Sequence, residues 1–495
     1  MKNSIPYPNR THVLIIGAGP AGLTAAAECA EHGLRVTVVE KDPEYVGGIA
    51  RTVRYKDFRF DIGGHRFFSK STEITRWWQQ RLPNDFIQVR RLSRIFYNNH
   101  FFDYPLKAFN ALRGLGLFTS TLCVLSYIQA RLFPIRPERS FADWVSNRFG
   151  QRLFRIFFKT YTEKVWGMPC DQISADWAAQ RIKGLSLSTA ILNALFPKKN
   201  KGTALVKTLI DSFEYPRLGP GMMWEKTAAD LQAAGHSLRM GHEVIQLEHD
   251  GNRVTAALVR DIAGNPSRLE ADAFIISMPL QETVRALHPP LPKSALEAAD
   301  RLQYRDFLTV ALMVRKTDLF PDNWIYVHDP SVKLGRIQNF NNWSPAMVPD
   351  PGVTCLGLEY FCFEGDGLWT SSDADLIELG KRELAQLGLV RPVDVFDGCV
   401  VRMPKAYPVY TPTYAEEVKV IRAALAPLYN LQVIGRNGMH KYNNQDHSMM
   451  TALLAARNLV GGQFDLWRVN TDAEYHESGE APETGRSVPR PIPSS

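Results

Sequence analysis

The sequence predicts an α/β protein: a discontinuous Rossmann-like dinucleotide-binding domain, interrupted by an inserted helical domain and a β-sheet substrate domain. Three observations predict it. The chain opens on a strand, glycine loop, helix and strand in direct succession. Strand patterns of the same kind resume far downstream. The length of 495 residues exceeds what one hydrophobic core of ordinary size organises and suits two or three lobes.

The first strand, Val13-Leu-Ile-Ile16, runs straight into Gly17-Ala-Gly19-Pro-Ala-Gly22. A small-residue helix follows, then the strand Arg35-Val-Thr-Val-Val39 and Glu40. The glycines permit a tight turn, let the backbone reach a pyrophosphate and let the helix pack closely on the strand, while Glu40 is placed to accept from ribose hydroxyls. The helix amino terminus adds partial positive charge facing the phosphates. A glycine-rich turn without ligand would not need strand, helix and acidic residue in this order.

The unit resumes at Ser237-Leu-Arg-Met-Gly-His-Glu-Val-Ile-Gln-Leu-Glu-His249 and Arg253-Val-Thr-Ala-Ala-Leu-Val-Arg260, which alternate like sheet strands around an Asn/Gly turn. The apolar stretch Ala271-Asp-Ala-Phe-Ile-Ile-Ser-Met-Pro279 reads as a return strand. Leu431-Gln-Val-Ile-Gly435-Arg436 reads as a buried strand ending in a glycine, with a helix from about Ser448 to Val460 after it. The expected dinucleotide domain therefore spans 1–104, 206–295 and 401–475. The helical insertion is 105–205, the sheet domain, rich in β-branched and aromatic residues, is 296–400, and the Pro- and Ser-rich tail 476–495 is expected to be disordered.

A net charge of +7 favours anionic partners, and with no nucleic-acid motif in the chain these are acidic small molecules or lipid headgroups. The six cysteines (Cys29, Cys123, Cys170, Cys355, Cys362, Cys399) form no CxxC pair and lack nearby histidines at ligand spacing. Neither a metal site nor a disulfide framework is expected, and the compartment is read as reducing cytoplasm. The first ten residues carry no apolar signal core. The uncharged stretch from Gly114 to Ala130, flanked by Lys107, Arg113, Arg131, Arg136 and Arg139, has two readings. It is a buried core helix, or it rests on the inner face of a membrane, or accepts a lipid tail, with help from Lys198, Lys199 and Lys201.

Gly47-Gly48-Ile-Ala-Arg51-Thr52, just after Glu40, resembles the second signature of a flavoprotein group that includes amine oxidases, protoporphyrinogen oxidases, phytoene desaturases and UDP-galactopyranose mutases. That resemblance implies FAD. No second GxGxxG in a strand-turn-helix setting follows, so an external NAD(P)H reductant would reach the flavin through the substrate cleft.

Within this group, Gly63-Gly64-His65-Arg66-Phe67-Phe68 resembles the flavin-side histidine loop of eukaryotic-type UDP-galactopyranose mutases. The glycines there let backbone approach the ring, and His65 would lie against it. Tyr161-Thr-Glu-Lys-Val-Trp166 with Trp177 to Arg181 resembles the mutase segment ending in a diphosphate-binding arginine, here Arg181. Trp324-Ile-Tyr326 followed by Arg336 is similar to the family's Trp-x-Tyr block and second phosphate arginine. Gly435-Arg436, Lys441-Tyr442 and Asn444-Gln445-Asp446-His447-Ser448 resemble its C-terminal block, with Arg436, Gln445, Asp446 and Ser448 on the cofactor side and Tyr442 and Asn444 facing substrate. Trp166, Tyr407 and Tyr410 are further candidate substrate contacts.

The resemblance implies a sugar mutase that interconverts pyranose and furanose forms of a phosphate-linked sugar through a bond to reduced flavin N5, without net redox change. Arginine and tyrosine suit the phosphate task because they donate without transferring protons. The chain departs from the family where a Tyr-Pro-Phe-Gln stretch contacts uracil. It has Tyr104-Pro105-Leu106-Lys107 instead, which points to a polyprenyl phosphate or a nucleotide other than UDP as carrier. The competing readings are an FAD-dependent oxidoreductase of the protoporphyrinogen oxidase or phytoene desaturase type, acting on an apolar substrate, and a flavin-bearing binding protein.

Overall fold

In the computed structural model the described residues are 11–104, 106, 108–175 and 212–470. The glycine loop hangs from a five-stranded parallel sheet ordered Leu431–Val433, Ala273–Ile276, His12–Ile16, Arg35–Val39, Ser237–Arg239. Its two central strands, His12–Ile16 and Ala273–Ile276, are almost unbroken apolar runs because both of their faces are covered, whereas the edge strand Ser237–Arg239 is polar. Val13, Ile15, Val36 and Ile275 pack under the helices Pro20–Glu31 and Gln445–Leu459. Leu14, Ile16, Phe274 and Ile276 pack against the helices Lys293–Arg301 and Tyr414–Leu425 and a four-stranded sheet on the other side. Three separated stretches of chain thus build one sheet, as the discontinuous reading expects.

The stretch from Ser237 to His249 is not one strand. Ser237–Arg239 joins the parallel sheet, whereas Glu243–His249 pairs antiparallel with Val254–Arg260. The break falls at Gly241, whose φ of +66° turns the chain out of the sheet.

A seven-stranded sheet forms the second layer, ordered Val395–Pro408, Tyr304–Val314, Thr354–Cys362, Arg336–Asn339, Trp324–Val327, Ser93–Tyr97, His100–Asp103. Leu308, Val310 and Leu312 on one face pack against the helix Asp373–Gln386. Phe307, Ala311 and Met313 on the other meet Phe60, Tyr215 and Trp343. Ser93–Tyr97 and His100–Asp103 come from the stretch the sequence reading gives to the dinucleotide unit, and Val395–Pro408 runs through the expected boundary at 400.

The described part of the helical insertion contains Ala108–Leu132, broken at Gly116 (φ +77°), then Phe141–Phe149 and a run ending in Thr160–Trp166. The core-helix reading of the apolar stretch is overturned. Only 6% of the 18-residue apolar window within Arg113–Leu132 is buried. One side is held against the body: a Cβ at Gly150 would lie 2.7 Å from Tyr127 N, and Arg152 N donates to Ser126 Oγ at 3.2 Å. Among the described residues no further layer covers the opposite side, where Leu117 and Phe118 are 76% and 78% exposed. Within the described residues all six cysteines are free thiols.

Candidate active site

Two glycine loops meet over the end of the central strand. Gly17 sits at φ +98°, where only glycine is unstrained, and a methyl at Gly22 would overlap the Gly17 carbonyl oxygen. Gly47 N donates to Ala18 O at 2.8 Å, which ties the second loop to the first. Cβ atoms added at Gly19 and Gly48 would lie 4.0 and 3.5 Å from each other's Cα, so side chains there would fill the gap between the loops. Pro20 opens the helix at a position where the missing N–H costs nothing.

Glu40 accepts from Ala18 N at 2.6 Å and Asp42 N at 2.9 Å, one donor per carboxylate oxygen, which leaves lone pairs for a ribose hydroxyl. Burial raises its pKa, and these hydrogen bonds oppose the shift. Arg51 pairs with Asp42, and its buried Nε has no hydrogen-bond partner.

The C-terminal block closes on the same loops. Gly435 N donates to Thr451 Oγ1 at 3.0 Å, and a Cβ at Gly435 would press on Ala21 Cβ at 2.9 Å. Asn443 Nδ2 donates to Gly435 O and Arg436 Nε donates to Asn443 O, both at 2.9 Å, which locks the turn. Asn444 is the N-cap of Gln445–Leu459, its N–H meeting His447 Nδ1 at 3.3 Å. Its position is explained by the helix, whatever it also faces. Asp446 accepts from Ser69 Oγ at 3.0 Å, and Ser448 is buried one turn into the helix. Both polar atoms of the Gln445 amide are buried without a partner. Leaving such groups unmet costs about 1–3 kcal/mol, so the site has polar capacity set aside for a bound group.

Beside these loops lies a cage of arginines and aromatic hydroxyls. Arg336 stands opposite both Tyr326 and Glu359 in the sheet register, with its Nε 3.0 Å from Glu359 Oε2 and its guanidinium 5.7 Å from the Tyr326 ring. Tyr326 meets Tyr104 at 5.0 Å and Tyr161 edge-on at 5.5 Å. The Arg436 guanidinium lies 4.9 Å from the Tyr442 ring and 5.5 Å from the Tyr407 ring, and these two rings stack at 5.8 Å. Trp166 backs Tyr442 at 6.3 Å. The structure thus brings together Tyr104, Trp166, Trp324, Tyr326, Arg336, Tyr407, Arg436 and Tyr442. Arg181 and Lys107 lie outside the described residues, as do Trp177, Lys198, Lys199, Lys201 and the tail 476–495.

Tyr410 supports the cage from behind Tyr442. Its hydroxyl accepts from Tyr442 N at 2.7 Å and its ring stacks on Tyr414 at 4.1 Å, so it positions the Tyr442 backbone. Four cage residues have no role in the sequence reading, although Arg66 and Tyr161 stand within its quoted blocks. Arg66 and Arg91 lie 5.7 and 5.3 Å from the Trp324 ring, Tyr161 stacks on His328 at 4.7 Å, and Glu359 pairs with Arg336. Arg66 directly follows His65 in the motif, which is the signal that could have found it.

His65 Nε2 lies 2.8 Å from Ile62 O and must donate, since a carbonyl only accepts. Burial, followed by the charges of Arg436 and Arg336, pushes its pKa down to about 4. The imidazole is therefore neutral near pH 7. Burial holds the Tyr161 and Tyr407 hydroxyls above their usual range, protonated and able to donate. Glu359 is fully buried, accepts from Gln338 Nε2 at 2.6 Å, and is raised by burial with Arg336 opposing. It is fixed in place and unavailable as a base.

The family model of flavin containing amine oxidoreductases matches residues 20–458. The chain belongs to that family. A Klebsiella pneumoniae protein described as "Probable UDP-galactopyranose mutase" is 24% identical over 174 residues, covering 34% of this chain and 44% of that one. The chain thus spans less than half the length of that curated relative. The phytoene dehydrogenase of Streptomyces griseus is 23% identical over 445 residues, covering 77% of this chain and 82% of its own. A crystal structure of reduced UDP-galactopyranose mutase superposes with a TM-score of 0.78 at 22% identity, over 91% of this chain and 96% of that one. The last likeness is one of fold. Family membership supports FAD as the cofactor, and the residues present fit it: an open glycine cradle, Glu40 with spare lone pairs, and the unmet Gln445 amide.

Proposed function

We propose that this flavoprotein is a mutase that interconverts the pyranose and furanose forms of a phosphate-linked sugar. The observation that carries the reading is the cage of Arg336 and Arg436 among the hydroxyls of Tyr161, Tyr326, Tyr407 and Tyr442, beside a neutral His65. Arg66 and Arg91 add positive charge on the Trp324 side. An amine substrate would enter as a cation and be repelled, whereas a phosphate is attracted.

FAD would be held by the two glycine loops, Glu40, Gly435 and the Gln445 turn, and in its reduced form supplies the electron-rich centre that lets a ring exchange proceed without net redox change. Arg336 and Arg436 bind the phosphate and stabilise the negative charge that grows on it as its bond to the sugar weakens, with no proton transfer. The tyrosine hydroxyls add donors, and Arg181 would be a further phosphate ligand on the family pattern. Holding the departing phosphate in the cage keeps it in reach for return. The carrier we favour is a polyprenyl phosphate, because the chain departs from the uracil-contacting pattern at Leu106 and Lys107 and turns directly into an apolar helix. Electrons would come from external NAD(P)H.

The experiment supplies the enzyme, reduced with NAD(P)H or dithionite, with UDP-galactopyranose or a detergent-dispersed polyprenyl-phosphate sugar, and separates ring forms by chromatography. Ring exchange of the lipid-linked sugar supports the reading, exchange of the UDP sugar alone removes the carrier proposal, and no exchange of either removes the mutase. The second reading, hydride transfer from an apolar substrate, draws on the aromatic wall where Trp324 and Trp343 stack at 5.4 Å. It predicts stoichiometric bleaching of oxidised flavin by substrate.

A further inference from the structure

We infer that the helix Ala108–Leu132, with the loop after it, is a docking element that lies in the plane of an anionic lipid bilayer. The segment Arg113–Leu132 has a mean hydropathy of 1.2, yet beyond Leu115 and Cys123 few of its apolar side chains are used to build a core. After the break at Gly116, Leu117, Val124, Leu125, Ile128 and Leu132 recur at helical spacing along one open face. Phe118, Phe133 and Ile135 extend that face, Phe133 being 77% exposed. Apolar surface this continuous marks an interaction site.

Charge selects the occupant. From Tyr104 to Pro137 the sequence has four basic residues and no acidic one. Arg113, Arg131 and Arg136 are all exposed and bracket the apolar face, as anionic headgroups above buried acyl chains require. The protein side of the helix fixes its orientation. Cys123 is buried, the backbone at Ser126 and Tyr127 is wedged against Gly150, and Gly114 abuts Phe102, where a Cβ would come within 2.7 Å of the ring Cζ. A helix held along one side by its own protein lies on the bilayer and does not cross it. The surface also borders the cage: Tyr104, four residues before the helix, contacts Tyr326. Docking therefore sets the cage near the lipid surface. The inference stands on the helix itself and does not need the mutase reading.

The test is flotation of the full-length flavin-loaded protein with vesicles of phosphatidylcholine alone or with 30% phosphatidylglycerol (about, chosen to give a surface potential). Expected is binding to the anionic vesicles that weakens with salt. Leu125→Glu/Ile128→Glu should weaken it about tenfold or more. Arg131→Gln and Arg136→Gln should each weaken it about fivefold. Flavin absorbance and circular dichroism, unchanged in all variants, show that the fold is intact. Absence of binding to either vesicle, or binding that the substitutions do not move, overturns the inference. A concentration-dependent dimer that Leu125→Glu/Ile128→Glu dissociates, without vesicle binding, overturns it in favour of a second copy of the chain. Because flotation reads no catalysis, its failure is distinct from failure of the mutase assay.

Discussion

Replacing Arg336 by methionine isolates what the buried pair does for the fold from what it does for the substrate. Glu359 has a fully buried side chain, Arg336 is 18% exposed, and the two are 3.0 Å apart. Removing one partner of such a pair costs about 3–5 kcal/mol, mainly because the remaining charge is stranded, whereas removing both costs far less. Arg336→Met should therefore lose about 3–5 kcal/mol in denaturant unfolding followed by tryptophan fluorescence. Arg336→Met/Glu359→Gln, which keeps an acceptor for Gln338 Nε2, should recover at least about half of that. Both should lose phosphate-dependent activity, so stability and function separate. The pH dependence has a definite sign. Glu359 is raised by burial above 4.5, and without Arg336 only the Gln338 hydrogen bond opposes the rise. The folded state then holds its proton at pH values where the unfolded chain has released it, so stability falls as pH rises through that window. The deficit of Arg336→Met should be full above the raised pKa and shrink as pH falls toward 4.5. A loss under about 1 kcal/mol, or a double variant no more stable than the single, would refute the reasoning.

His65, held neutral down to about pH 4, should show no imidazole titration above pH 5 in histidine-labelled NMR (roughly one unit clear of its pKa). Its lowered pKa means the unfolded state takes up the proton first, so this residue contributes a loss of stability as pH falls from 6.5 toward 4 that His65→Gln should remove. Gly48→Ala and Gly33→Ala both place a methyl at positive φ, +53° and +77°, but only the first puts it against the other glycine loop. Each should cost about 1–2 kcal/mol of stability, while the flavin-to-protein absorbance ratio should collapse for Gly48→Ala alone. Tyr410→Phe removes the acceptor of the Tyr442 N–H and should lower stability by about 1–3 kcal/mol and slow turnover, read by denaturant unfolding and the ring-exchange assay.

The parallel sheet was legible because its information is local. A strand buried on both faces is an unbroken apolar run, and the glycine loop has to sit between strand and helix for the backbone to turn. The cage was legible in part. Arg336, Tyr407, Arg436 and Tyr442 stand in recognisable blocks, but Glu359 looks like any alternating strand residue until register sets it opposite Arg336. Arg91 has no local signature, since its partners Tyr104 and Trp324 are fixed only when Ser93–Tyr97 pairs with Trp324–Val327. Sheet partnership across the helical insertion is likewise absent from hydrophobic period, which is why Ser93–Tyr97 and His100–Asp103 were expected in the other domain. The backbone role of Tyr410 was not legible, because a hydroxyl that holds a backbone amide reads the same in sequence as one offered to a ligand. The apolar helix was ambiguous for a similar reason: composition reports how much apolar surface exists, not what covers it.

The most direct test of the central reading follows the flavin and the sugar in one anaerobic cuvette. The reduced enzyme is mixed with a phosphate-linked sugar, the flavin spectrum is recorded, and the ring forms are then separated. The account predicts many turnovers of pyranose–furanose exchange per enzyme, lost in Arg436→Met, with the flavin still reduced at the end. Flavin reoxidised in proportion to a reduced product, with no change of ring form, would contradict it.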